Sequence, residues 1–349
     1  MAQLRVGIIG LGRVGRGILR ANFTPDTTAD YNICAICDVM PADQVAYLMA
    51  NDSTYGRPRF NIGREGNSIV LDGKTIRYIP GDRRRNILDH ESFAELKALE
   101  LDILIDATGT AHINDLRALI TEQIAQKVIC TANIAGIDIS IVHGVNEHLY
   151  QPSEHHVIAA STCTGNAMTP IAYILDKHIG IDYARITTIH PALSDQRVLD
   201  GYHSVSQLGR TCSASIMPIR TNVAKSTTLV LPTLEGKLDS ISYRVPTAIV
   251  SVMDVTMILA RNTSLQECTE LFEHYAQHDL HNILHCEYDS WGHEKASIDF
   301  VGTPYSSIVL MKHLSLSHQR NLGIALMHDN EFAYCCRVLD VIGTIQKAQ

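Results

Sequence analysis

Leu4-Arg5-Val6-Gly7-Ile8-Ile9-Gly10-Leu11-Gly12-Arg13-Val14-Gly15-Arg16 is the stretch whose reading decides the fold. Leu4 to Ile9 is rich in branched apolar side chains and reads as a buried strand. It runs into Gly-x-Gly-x-x-Gly, and Gly17 to Asn22 then has helical character, so the glycines occupy a strand–turn–helix junction. Gly10 permits the tight turn, Gly12 lets backbone approach a pyrophosphate, and Gly15 lets the helix pack closely on the strand. A second strand, Tyr31 to Cys37, ends at Asp38, about 20 residues further on, where a carboxylate accepts adenosine ribose hydroxyls. That acidic residue favours NAD over a 2′-phosphorylated dinucleotide.

Working outward, Leu101 to Asp106, Lys127 to Cys130 and His156 to Ala160 are further strand-like runs, with a helical segment around Ile113 to Gln126. Two strand ends carry small hydrogen-bonding residues, Ala107-Thr108-Gly109 and Thr131-Ala132-Asn133. In a doubly wound sheet ligands lie beyond the carboxyl ends of the strands, so Thr108, Gly109 and Thr131 are expected at the dinucleotide crevice. Ser68 to Leu71 and Thr75 to Tyr78 read as a hairpin excursion before the next crossover.

Composition narrows the class. A chain of 349 residues with 46% hydrophobic and 19% charged residues has room for two cores and the balance of a soluble globular protein. The net charge of −8 gives no reason to expect a nucleic-acid or anionic-membrane surface, and no apolar run approaches the length of a membrane span. Without export features, the nine cysteines read as reduced thiols of a cytoplasmic protein. Cys34 and Cys37 lie in a strand and read as structural. His274, His278, His281, His285 and Cys286 read as a solvated histidine-rich segment rather than a metal site, so no metal is expected.

In Ser161-Thr162-Cys163-Thr164-Gly165-Asn166-Ala167-Met168-Thr169-Pro170, a cysteine sits between the run Val157 to Ala160 and a helical segment from Pro170 to Ile179. Free backbone N–H groups and the helix dipole at such a junction favour negative charge, which predicts a lowered thiol pKa and a reactive thiolate. Thr162 and Thr164 flank it as hydroxyl donors to an anion. Ala184 to His190 is an alternating strand ending in histidine, placed to act as a base to the cysteine. Thr227 to Leu231, Ser240 to Val245, Ala248 to Met257, Ser306 to Met311 and Asn321 to Met327 alternate like antiparallel strands covered on one side. A helix from Leu265 to Gln277 interrupts them. The predicted fold is α/β: a Rossmann-type dinucleotide-binding domain, then a second α+β catalytic domain built on an antiparallel sheet.

Several motifs recur together: the Gly10 to Arg16 loop, Asp52-Ser53-Thr54-Tyr55-Gly56, Gly144-Val145-Asn146, Cys163-Thr164-x-Asn166, Asp195-Gln196-Arg197-Val198-Leu199-Asp200, Arg244-Val245-Pro246-Thr247 and Asp329-Asn330-Glu331-Phe332. In this order and spacing the chain resembles the phosphorylating glyceraldehyde-3-phosphate dehydrogenase family from about residue 4 to residue 343. The resemblance implies NAD-dependent oxidation of glyceraldehyde 3-phosphate to 1,3-bisphosphoglycerate, with inorganic phosphate as co-substrate. It makes Cys163 the nucleophile and His190 the base. It assigns Gly10, Gly12, Arg13, Val14, Gly15, Asp38, Thr108, Gly109, Thr131, Asn330 and Tyr334 to the cofactor, and Thr162, Thr164, Thr221 and Arg244 to the anions. It also implies a homotetramer, a first domain of residues 1–162 completed by a C-terminal helix 331–349, and a catalytic domain of residues 163–330. Departures gather at the anion sites: Leu193 stands where the family has a phosphate-binding threonine, Gln207-Leu208 replaces tandem arginines, and Thr162 replaces serine. Arg220 and Arg210 are the available compensating cations. The erythrose-4-phosphate dehydrogenase relatives, which hydrolyse the thioester, share the apolar residue at 193. A paralogue that binds NAD or sugar phosphate without turnover is the remaining alternative.

Overall fold

The computed structural model describes residues 3–25, 30–81 and 91–348. They fall into two compact units, Met1–Thr162 with Cys335–Gln349, and Cys163–Tyr334.

In the first unit β1 (Arg5–Ile9) enters α1 (Arg13–Phe23), followed by β2 (Asn32–Asp38), α2 (Ala42–Ala50), β3 (Ile62–Glu65), β4 (Ser68–Leu71) and β5 (Lys74–Pro80). Then come α3 (Glu91–Lys97), β6 (Leu101–Asp106), α4 (Ile113–Thr121), β7 (Ala125–Cys130), β8 (Ile139–Ser140) and β9 (Val157–Ala159). The sheet order is β3-β4-β5-β2-β1-β6-β7-β9-β8. β1 pairs in parallel with β2 on one side and β6 on the other, so the strand order reverses beside β1 and opens a crevice at its carboxyl end. β4 and β5 pair antiparallel as the expected hairpin excursion, and β3 adds a further strand antiparallel to β4. Branched side chains on both faces of the parallel strands (Ile8, Ile9, Ile36, Ile103, Leu104, Val128, Ile129) are buried, as crossover helices require. The helix before β7 stops at Thr121, short of the expected Gln126, because Ala125 already pairs with Leu101.

The second unit opens with α5 (Cys163–His178) and β10 (Ile181–Pro191), then β11 (Met217–Ile219), α6 (Val223–Thr228), β12 (Leu238–Val245), β13 (Ser251–Leu259) and α7 (Leu265–Gln277). β14 (Leu284–Glu287), β15 (Ser307–Leu310), β16 (Ser315–Ser317), β17 (Asn321–His328) and α8 (Phe332–Lys347) complete the chain. The sheet runs β11-β12-β10-β13-β17-β15-β14, with β16 on β17. β13 shows why one face is core: Ser251, Met253, Val255, Met257 and Leu259 are buried while Asp254, Thr256 and Ile258 are exposed. Buried residues of α5 (Met168, Ile171, Leu175) and α7 (Cys268, Phe272) share one apolar cluster with that face.

Three expectations for this half are corrected. The sheet is mixed, since β10 pairs β12 and β14 pairs β15 in parallel, although β10–β13, β13–β17 and β15–β17 are antiparallel. Thr227 to Leu231 is not a strand: Val223, Ser226, Thr227 and Val230 are buried, a spacing of i, i+3, i+4, i+7, and the segment begins in α6. The helix expected from Pro170 begins at Cys163, which leaves Pro170 inside it. α8 lies across the division between the units, and beyond Tyr334 it belongs with the first, where a Cβ on Gly17 of α1 would come within 2.6 Å of the Cys335 sulfur.

Candidate active site

The glycine loop fits a dinucleotide for reasons visible in its packing. Gly10 has φ +91, and a Cβ there would lie 2.7 Å from the Thr108 nitrogen. A Cβ on Gly15 would lie 1.9 Å from the Gly10 carbonyl oxygen, so the approach of α1 to β1 demands glycine. Gly12 differs: among the described residues, nothing lies within 4 Å of its would-be Cβ. Protein packing does not require a glycine there, whereas close approach of a phosphate to the loop and to the amino end of α1 does. Asp38 closes the pocket from β2, its carboxylate accepting from the Leu11 N–H and, at 2.7 Å, from the Met40 N–H. Ile9, Gly10, Gly12, Asp38, Val39 and Thr108 share the lining of this one pocket.

Asp106, at the end of β6, organises the neighbouring tips. Its carboxylate accepts from the Thr108 hydroxyl at 2.8 Å, and its carbonyl from the Thr131 N–H and hydroxyl, each at 3.1 Å. Gly109 takes φ +68, and Gly109, Thr131 and Asp106 line a second, adjoining pocket. Arg13 and Val14 are placed differently. The Arg13 guanidinium is ion-paired to Asp52 at 2.9 Å and stands over the Tyr55 ring, and the Val14 carbonyl accepts from the Cys335 thiol at 3.5 Å. Burial opposes ionisation of Asp52, but the Tyr55 and Thr54 N–H groups and Arg13 outweigh it and hold the carboxyl below its ordinary value. Asp106 and Asp52 were not singled out as site residues from sequence. A carboxylate ending a strand, before a hydroxyl residue, was the available signal for the first.

In the second unit the structure brings Cys163, His190 and Arg244 together. Ser161, φ +54 and completely buried, turns the chain between β9 and α5 and sets Cys163 as the first helical residue. A non-glycine residue in this region stores strain of order 1 kcal/mol. His190 comes from near the end of β10, where Arg244 of β12 is its in-register neighbour. His190 Nδ1 lies 2.9 Å from the Pro191 carbonyl, which can only accept, so the proton is on Nδ1 and the lone pair on Nε2. That Nε2 faces the Cys163 sulfur at 4.0 Å.

The protonation states correct one expectation. Burial pushes the Cys163 thiol up to about 11, although the Thr164 N–H and Arg244 act the other way. The helix-terminus argument has the right sign, but desolvation is larger. Burial pushes His190 down to about 4; the Pro191 carbonyl works against this and Arg244 with it. The resting pair is therefore a neutral thiol beside a neutral imidazole.

Of the threonines expected at the anions, Thr164 is buried and Thr162 half-buried on either side of Cys163, while Thr221 precedes α6 and its hydroxyl oxygen accepts from the Val223 N–H at 3.4 Å. Arg244 is mostly buried, with Nη1 3.3 Å from Asp195 and 3.4 Å from the Gln196 side-chain oxygen. Of the departures from the family pattern, Leu208 is buried rather than turned to solvent, Leu193 is half-buried, and Arg210 is engaged with Asp200 at 3.1 Å. Arg220 is exposed. Asn330 is buried and its side-chain oxygen has no hydrogen-bond partner among the described residues, while Asp329 beside it accepts from the Glu331 and Phe332 N–H groups and so caps α8. Tyr334 is buried in the first turn of that helix. Among the described residues, no group of three or more His, Cys, Asp or Glu side chains could hold a metal ion.

Residues 4–114 match the NAD-binding domain of glyceraldehyde 3-phosphate dehydrogenase, and residues 162–330 match its C-terminal domain. Among curated proteins, the chain is 33% identical over 343 residues to glyceraldehyde-3-phosphate dehydrogenase of Geobacillus stearothermophilus, covering 98% of both. It is 34% identical over 341 residues to glyceraldehyde-3-phosphate dehydrogenase 2 of Streptomyces avermitilis, with 97% of each covered, and 30% identical over 345 residues to the Chlamydia pneumoniae enzyme, with 99% of each covered.

Proposed function

The chain belongs to the glyceraldehyde-3-phosphate dehydrogenase family, with NAD as its cofactor, and from that premise we propose that it oxidises glyceraldehyde 3-phosphate to 1,3-bisphosphoglycerate, consuming inorganic phosphate. The observation that carries this reading is the 4.0 Å approach of the unprotonated His190 Nε2 to the Cys163 sulfur, with the Arg244 guanidinium beside them.

The chemistry follows from that pair. With the thiol and imidazole both neutral, His190 Nε2 takes the Cys163 proton as sulfur bonds to the aldehyde carbon. His190 passes that proton to the carbonyl oxygen, which becomes the hydroxyl of a hemithioacetal on Cys163, and its Nε2 is neutral again. His190 then accepts that hydroxyl proton, and the C–H carbon gives up a hydride to leave a thioester. NAD, when bound, supplies the hydride acceptor; the loop at Gly10 and Gly12 would hold its pyrophosphate, Asp38 its ribose, and Asn330 its carboxamide, while Gly15 lets α1 pack close enough to form the loop. A phosphate oxygen attacks the thioester carbon, the C–S bond breaks, and the departing sulfur takes the proton held on His190, which restores the neutral pair. Arg244, Thr162, Thr164 and Thr221 hold the substrate phosphate and the attacking phosphate, whose charge requires donors. We further propose a cytoplasmic homotetramer. The exposed apolar side chains of Val198, Leu199, Tyr202 and Ile216, each more than 65% accessible, support burial of that segment against another subunit.

A specific observation favours a second reading. Leu193 offers no hydroxyl, Leu208 is buried and Arg210 is spent on Asp200, so the anion sites have fewer donors than phosphorolysis uses. With water as the attacking group the same thioester yields an acid, and erythrose 4-phosphate becomes the matching substrate. NADH formation with each aldehyde, with and without inorganic phosphate, separates the two. Turnover of glyceraldehyde 3-phosphate that requires phosphate is the expected result. Phosphate-indifferent turnover favours the second reading, and no turnover of either aldehyde leaves a binding paralogue.

A further inference from the structure

The sheet of the second unit carries a polar row on its largely apolar buried face. Ser251 of β13 is paired across the ladder with His328 of β17. The pair Ile189–Val252 places His190 opposite Ser251, and the pair Ile308–Met327 places Ser307 opposite His328. Residues opposite one another in antiparallel strands point to the same face, so the four side chains form one line across four strands. In the next layer down, Thr188 of β10 is followed by Met253, Leu326 and Val309, the ordinary apolar filling of such a face. The row runs below the first turns of α5, where the Ser307 hydroxyl donates to the Ala167 carbonyl at 2.5 Å.

All four residues are buried, and Ser251 and His328 are almost completely so. Among the described residues, neither ring nitrogen of His328 has a hydrogen-bond partner, and neither does the Ser251 hydroxyl. Unpartnered polar atoms at this depth destabilise a fold, where a leucine or phenylalanine would not. The backbone adds a second sign of constraint: Val250, immediately before Ser251, is β-branched and held at φ +69. Strain and unpaired polarity thus meet in the row that ends at the imidazole facing Cys163.

We propose that Ser251 and His328 are positioning residues for His190, presenting hydroxyl oxygen and unprotonated ring nitrogen to the positive charge that His190 acquires when it takes a proton. The ionisable groups that face His190 are Cys163 from α5, Arg244 from β12, Asp195 from the segment after β10, and His328 from β17. Of these, Arg244 opposes the charged form. Burial holds His328 itself neutral, pushed down to about 3 with His190 as the second cause, so it is free to act as an acceptor. The device is electrostatic preorganisation around a buried base, and it stabilises the thiolate–imidazolium pair that precedes attack.

This inference rests on the proposed role of His190 as base, and the test separates the two. The probe is iodoacetamide, with the Cys163 peptide followed by mass spectrometry between about pH 5 and pH 9, in the full-length wild type and in His328→Phe, His328→Gln, Ser251→Ala and His190→Asn. Alkylation at pH 7 should fall about tenfold in His328→Phe and in Ser251→Ala, the loss of one polar group turned towards the imidazolium, with the profile moved to higher pH. His328→Gln, which keeps an acceptor, should recover most of the rate, and Ser251→Ala should have no further effect in a His190→Asn background. An unmoved profile in Ser251→Ala and His328→Phe, with His190→Asn strongly impaired, overturns the inference alone. Full alkylation and full aldehyde oxidation in His190→Asn overturns the base assignment beneath it.

Discussion

Replacing His328 with phenylalanine should make the folded state less sensitive to acid, and the size of the change follows from its burial. An unfolded histidine has a pKa near 6.5, whereas His328 is held at about 3 and His190 at about 4 in the fold. Both folded values are depressed, so between pH 6.5 and pH 4 the unfolded chain binds more protons than the folded one. Stability therefore rises with pH through that window and is lost as pH falls through 6.5. At pH 5 each unfolded imidazole is almost wholly protonated and each buried one is almost wholly neutral. Each residue then contributes a loss of about 2 kcal/mol between pH 7 and pH 5. The figure depends only on the folded values lying well below 5. The His328→Phe chain loses one of the two contributions, so its fall over that interval should be about 2 kcal/mol smaller than that of the wild type. Urea unfolding of NAD-free protein, followed by far-ultraviolet circular dichroism at both pH values, measures it, and the remaining histidines cancel in the comparison. Equal losses in the two proteins would refute the claim that His328 is buried neutral.

Further outcomes test the other parts of the site. Gly12→Ala should leave the melting temperature within about a degree and still weaken NAD binding at least roughly tenfold, because no described protein atom crowds that position and the pyrophosphate is proposed to lie there; unchanged affinity by calorimetry would count against the pyrophosphate assignment. Gly15→Ala should do both, weakening NAD and costing about 1–3 kcal/mol of stability, because its Cβ meets the Gly10 carbonyl at 1.9 Å. Arg244→Leu should raise the KM for the sugar phosphate by roughly tenfold or more and shift His190 and the Cys163 thiol both towards higher pKa, since the guanidinium lowers each. An acid limb of kcat/KM that moves to lower pH would contradict that sign.

Local pattern made some of this molecule readable and hid the rest. The junction from Leu4 to Arg16 is legible because its constraints are steric and local: only glycine tolerates φ +91 at residue 10 or the contact at residue 15. β10 and α7 are legible through their hydrophobic period. Thr227 to Leu231 misleads because five alternating residues satisfy both periods, and the deciding burial of Val223 lies outside the run. Pro170 misleads because proline favours a first helical turn, while α5 begins where the strained Ser161 releases the chain. Parallel pairing of β10 with β12 leaves no trace in either strand. The thiol pKa is misjudged for a related reason: the helix terminus is a local feature, but desolvation is set by everything packed around the sulfur. Ser251 and His328 join His190 only through strand register, which no local motif encodes.

The central claim is that Cys163 carries the acyl group and that phosphate removes it. Wild-type protein mixed with NAD and glyceraldehyde 3-phosphate in the absence of phosphate should form a burst of NADH equal to one per active site. Rapid quenching should find the acyl mass on the Cys163 peptide, and adding phosphate should discharge it and restart turnover. An acyl group on any other residue, or a Cys163→Ser chain that still oxidises the aldehyde at the wild-type rate, would contradict the account.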